Sequence, residues 1–76
     1  MVRAKFVCQN VHHLHTSTPG DVCAYISMMP VYNDSPENAT WSKYTPGGLI
    51  QLIITNPAAI DKFELGKFYY VDFTPA

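Results

Sequence analysis

The sequence predicts an all-β domain with one short helix: a small, strongly bent antiparallel barrel of SH3-like or OB-like kind. Alternation of apolar and polar residues near the N-terminus, two later runs rich in β-branched and aromatic residues, and clusters of turn residues between them carry that prediction. The 76 residues make one domain, 1–76. A domain of this size buries only about 60% of the surface its unfolded chain exposes, so its own core is marginal. With 47% apolar and 14% charged residues the chain is globular, not disordered.

Residues 2–14 form the first predicted strand. Ala4, Phe6 and Cys8 share one face, while Arg3, Lys5, Val7 and Gln9 share the other, the period of a half-buried strand. The polar cluster 15–20 reverses the chain. Residues 21–32 return, with Val22, Ala24, Ile26 and Met28 opposite in face to Cys23, Tyr25, Ser27 and Met29, and Pro30 marks an edge or a bulge. A hairpin centred on Thr18 places Cys8 opposite Met28 and Cys23 opposite His13. The cysteines are then not neighbours, and reduced thiols suit a cytosolic setting.

Residues 33–48 form a long loop. Ser35, Pro36 and Glu37 resemble a helix entry of one turn, and residues 45–48 read as a type II turn with Gly47 at positive φ. Residues 49–55 are apolar on both faces, which predicts a strand buried on two sides. Asn56 as cap, Pro57 at the first position and Gly66 as stop predict a helix over 57–65, with Ile60 and Phe63 on its buried face. Residues 67–74 close the barrel, with Tyr69, Val71 and Phe73 on one side and Phe68, Tyr70 and Asp72 on the other. The predicted order is strand, strand, long loop, strand, helix, strand. The surplus of apolar residues on second faces predicts a homo-oligomer.

Five Lys+Arg against six Asp+Glu give a net charge of −1, with no basic stripe for duplex nucleic acid. No apolar run approaches the roughly 20 residues that cross a bilayer, and no basic region followed by an apolar one opens the chain, so the expected setting is the cytoplasm. The sequon Asn38-Ala39-Thr40 is there a chance match.

The loop holds the candidate binding residues. Trp41 and Tyr44 offer flat faces for a base, Lys43 a cation, Ser42 and Thr45 hydroxyls, and Gly47 and Gly48 backbone N–H groups for an anion nest. A nucleotide-sized anion fits this inventory. The alternative is that Trp41 and Tyr44 pin the loop to the barrel or to a neighbouring subunit. His13, His15, Asp21 and Cys23 fall on one face of the hairpin, ligand types zinc accepts, but a one-residue slip scatters them. No nucleophile elbow, zincin motif or phosphate loop is present, so neither catalysis nor a cofactor is expected.

Val-Tyr-Asn-Asp-Ser-Pro-Glu-Asn (31–38), Trp-Ser-Lys-Tyr-Thr-Pro-Gly-Gly (41–48), Ile-Thr-Asn-Pro-Ala-Ala (54–59) and Gly-Lys-Phe-Tyr-Tyr-Val-Asp-Phe-Thr-Pro (66–75) make the chain resemble a family of small proteins encoded by tailed bacteriophages and prophages. The likeness spans most of the chain outside the His-rich turn. It implies context rather than chemistry: a phage product that counters host defence or is built into the virion. The function expected is a non-catalytic binding protein, an oligomeric sponge for a nucleotide-type anion in the host cytoplasm. The alternative is a virion, assembly or cement protein docking on other proteins of phage or host.

Overall fold

The computed structural model describes residues 2–33 and 35–76. Asp34, inside the predicted loop, lies outside the described residues, as does Met1. Four strands, β1 (Val2–His13), β2 (Ala24–Pro30), β3 (Ile50–Ile54) and β4 (Phe68–Phe73), form one antiparallel sheet in the order β3-β2-β1-β4. The sheet curls into a half-barrel, an all-β fold of the predicted kind. It does not close, because β3 and β4 are its two edges.

The alternation predicted for β1 and β2 sets the inner face. Ala4, Phe6, Cys8, Ala24, Ile26 and Met28 are buried, and Val11, Ile50, Ile54, Tyr69 and Val71 pack around them. The hairpin register agrees with the sequence over Phe6↔Pro30, Val7↔Met29 and Cys8↔Met28. A bulge then absorbs Gln9, and pairing resumes as Asn10↔Ser27, Val11↔Ile26 and His13↔Ala24. His13 therefore lies opposite Ala24 and not Cys23. Cys8 is buried and Cys23 half-buried, and both thiols are free. Pro30 ends β2 beyond Met28↔Ile50, the last pair with β3, so its missing N–H breaks no ladder bond.

Two expectations fail for identifiable reasons. Residues 49–55, apolar on both faces, are not sandwiched: β3 is an edge strand whose Ile53 is 64% exposed. Residues 57–65 are not a helix. Asn56 does cap locally, its Oδ1 accepting from the Ala58 N–H at 2.9 Å, and Gly66 does take positive φ (82°). Beyond Asn56 the chain makes a pair of tight turns, Ala59 N–H to Asn56 O and Lys62 N–H to Ala59 O. Groups that a helix would use are engaged elsewhere: Gly66 N–H donates to Cys8 O at 2.7 Å, and Glu64 N–H donates to the Tyr69 hydroxyl, which itself donates to Lys62 O. A nine-residue helix is too short to compete on propensity alone. Phe63, on the predicted buried face, still reaches the core and meets Tyr69 at 5.8 Å between ring centroids.

Phe6 lies at the centre of this arrangement, buried and stacked beneath Trp41. Phe6→Ala is expected to cost about 3–5 kcal/mol, near the whole stability of a small domain. Ile53→Ala, on the exposed edge, is expected to stay within about 0.5 kcal/mol in the isolated chain. Urea unfolding of both variants checks the contrast, and equal losses would contradict the burial described.

Candidate functional site

The loop between β2 and β3 is organised by Asn38, a polar side chain only 2% exposed. Its Oδ1 accepts from the Lys5 backbone N–H (2.7 Å) and the Trp41 indole N–H (3.1 Å). Its Nδ2 donates to Lys5 O (2.9 Å) and Val31 O (2.8 Å), with a longer contact to Ser35 Oγ (3.4 Å). Val31 N–H still donates to Lys5 O, so the amide is spliced into the ladder where β2 leaves β1. A side-chain amide carries the donor and the acceptor of a peptide group, and can extend a sheet by one rung.

The one short helical turn predicted to be entered at Ser35 forms as a 3₁₀ turn, Asn38–Thr40, through Asn38 N–H to Ser35 O and Ala39 N–H to Pro36 O. Ser35 does not cap it with its side chain. Its hydroxyl donates to Val31 O at 2.8 Å, which ties the start of the loop back on itself.

Trp41 faces inward from this turn. It stacks on Phe6 with 6.5 Å between centroids and 12° between planes, and its indole N–H is committed to Asn38. This is the anchoring role. Ser42, Lys43 and Tyr44 come together on the other side, lining a cleft of about 130 Å³ with Tyr32, Ser35 and Pro46. Ser42 Oγ donates to Tyr44 O, and the Lys43 ammonium sits 5.6 Å from the centroid of the Tyr44 ring, which is 80% exposed. Thr45 is exposed.

The glycine turn differs from expectation. Positive φ occurs at Gly20 and Gly66 among the described residues, not at Gly47, so 45–48 is not the predicted type II turn and Gly47-Gly48 lacks the alternating backbone of an anion nest. Gly48 instead passes the core: a Cβ there would lie 3.6 Å from Pro30 Cγ and 3.8 Å from Phe6 Cζ. The bulge at Gln9 likewise undoes the juxtaposition of His13, His15, Asp21 and Cys23. The described residues contain no group of three or more His, Cys, Asp or Glu placed to hold a metal ion.

The outer face of β1 and β4 carries a second polar cluster. Arg3 makes two bonds to Asp72 (2.7 and 3.0 Å) and lies over Tyr70 at 4.8 Å, while Lys5 lies over Phe68 at 5.0 Å. The bond from Arg3 holds the Asp72 carboxyl below its usual range. Glu37 is also held low, first by its own backbone N–H, and its carboxylate raises the Tyr70 phenol. Glu37 Oε2 is buried without a hydrogen-bond partner. The basic residues of β1 are legible as a wet face in the sequence; their partners on β4 come only from the pairing Arg3↔Asp72 and Lys5↔Tyr70.

Two wider recesses flank the sheet, the second of them reaching the start of the loop at Tyr32 and Asn33. About 440 Å³ opens beside β3, along Tyr25, Ser27, Gln51 and Ile53, and about 480 Å³ lies over Lys5, Val7, Met29, Tyr32 and Phe68. Both fall within the roughly 300–1,000 Å³ of ligand pockets, and the loop cleft falls below it. No protein-family model, curated protein or solved structure matches the chain.

Asn38→Ala strands the Lys5 and Trp41 N–H groups, each worth about 1–3 kcal/mol when buried unpaired. The expected result is a lowered unfolding midpoint and red-shifted Trp41 fluorescence before unfolding; an unshifted spectrum would contradict the anchoring role. A depressed carboxyl contributes stability above its unfolded value of about 3.9 and loses it as pH falls through the folded value. Stability is therefore expected to fall with pH in this acid window, and Asp72→Asn to flatten part of the fall, read from urea midpoints between pH 7 and pH 2.

Proposed function

We propose that this chain is a non-catalytic docking module, a virion or assembly component of phage type that works by presenting its open sheet edges to proteins. One observation supports this reading above the others: large apolar side chains stand exposed along both edge strands, Leu52 and Ile53 on β3 and Phe68, Tyr70 and Phe73 on β4. Natural edge strands are commonly blunted by lysine, proline or a bulge. β3 carries none of these. Exposed apolar patches of this kind mark protein contact sites.

A second reading, an oligomer that sequesters a small anion, has Lys43 in its favour. Its ammonium joins no ion pair among the described residues and stands with Ser42 and Tyr44 at one cleft. Trp41 is the wrong residue with which to test it, since removing Trp41 also removes the loop's anchor.

Docking in a particle predicts the 8.5 kDa chain in purified phage particles at fixed copy number. Its absence from them by mass spectrometry would remove the virion role. Native mass spectrometry of the protein from cells addresses sequestration: a bound small anion that disappears in Lys43→Ala would move the function to the loop.

A further inference from the structure

We propose that β3 pairs with β3 of a second copy, antiparallel about a two-fold axis at Leu52, so that two half-barrels share one eight-stranded sheet. This rests on the docking reading above and names its first partner.

The size of the molecule points to a missing neighbour. Its radius of gyration is 14.4 Å, where a compact chain of this length has about 11 Å. Its extents are 47 × 28 × 15 Å, the thickness of a sheet with a partial second layer. The accessible surface is 5550 Å², about 900 Å² above the roughly 4,650 Å² of a compact 8.5 kDa monomer. A standard protein interface takes about 800 Å² from each partner. The excess is what one such contact would bury.

The chemistry of β3 selects the partner. Val31 N–H bonds Lys5 O and Leu14 N–H bonds Cys23 O, so the odd-numbered residues of β2 turn their backbone groups to β1 and the even-numbered ones to β3. Ala24, Ile26 and Met28 pair with Ile54, Leu52 and Ile50, which leaves the N–H and C=O groups of Gln51 and Ile53 pointing away from the sheet. A two-fold at Leu52 sets Gln51 of each copy opposite Ile53 of the other, and these two residues carry the free groups. On the inner face it sets Ile50 against Ile54 and Leu52 against itself. Ile-x-Leu-x-Ile reads the same in both directions, which is the condition for an isologous contact. The strand is uncharged, so no like charges meet. On β4, by contrast, Asp72 is tied to Arg3 and Lys5 lies over Phe68, so charge flanks this edge although Phe68 and Tyr70 remain exposed.

Light scattering after size exclusion is expected to give twice the chain mass at micromolar concentration. Opposed residues in a non-hydrogen-bonded antiparallel pair lie about 4.5 Å apart at Cα, within disulfide reach. In a Cys23→Ser background, Leu52→Cys is therefore expected to crosslink fully under mild oxidation and Ile50→Cys not at all. Ile53→Pro removes an outward N–H that the monomer does not use, and is expected to give a folded monomer by circular dichroism. A dimer that survives Ile53→Pro, with no crosslink in Leu52→Cys, would overturn the β3 assignment and leave the docking function standing. A wild-type monomer at 100 μM would overturn the proposed self-pairing; if the chain is also absent from particles, the docking function falls with it.

Discussion

The arrangement depends on one buried amide. Where β2 parts from β1 at Pro30, Val31 N–H still reaches Lys5 O, but the Lys5 N–H and the Val31 carbonyl would be left without partners in a partly buried place, at a cost comparable to lost hydrogen bonds. Asn38 fills the gap, taking the Lys5 N–H on Oδ1 and giving Nδ2 to Lys5 O and Val31 O. The same oxygen accepts from Trp41, which fixes the indole over Phe6. Loop path, sheet end and core lid are thus set by a single side chain. Nδ2 is also the atom that glycosylation of the sequon would occupy, and its bonds here are incompatible with a glycan.

The core is one inner sheet face covered by irregular chain. Trp41 from the first long connection and Phe63 from the second take the place that a helix or a second sheet takes in larger domains. Neither covers the edges. Tyr69 ties the second connection down through Lys62 and Glu64, and Gly66 bonds Cys8. That stabilises the β1–β4 side and leaves β3 attached through β2 alone. The open edge and the excess surface are two aspects of one fact: the sheet has too few strands to close.

The loop that carries the candidate binding residues divides by orientation. Trp41 looks inward and builds the fold; Ser42, Lys43 and Tyr44 look outward and are free to meet a solute or a neighbour. A composition suited to a nucleotide is therefore shared between packing and surface. The outward set lies within one short span, which keeps it available to an anion, while its cleft is small beside the apolar area along the strands.

Local sequence is enough to specify the all-β class, the two-residue alternation that buries Ala4, Phe6, Cys8, Ile26 and Met28, the half of the hairpin register remote from the turn, the Asn56 cap and the Gly66 turn. Period, cap chemistry and backbone freedom act over a few residues and need no distant partner. Everything else depended on segments far apart in the chain meeting in space. The bulge at Gln9 moved His13 from Cys23 to Ala24, because one inserted residue shifts every later pair. Residues 57–65 lost their helix to bonds from Tyr69 and Cys8, which lie outside the segment. The apolar run at 50–54 could not reveal whether two faces meant burial or an edge, since periodicity reports which side chains are apolar and not what stands next to them. Asn38 was unreadable for the same reason: a polar residue in a loop declares its buried role only when the backbone groups it satisfies, 33 and 7 residues away, are brought beside it.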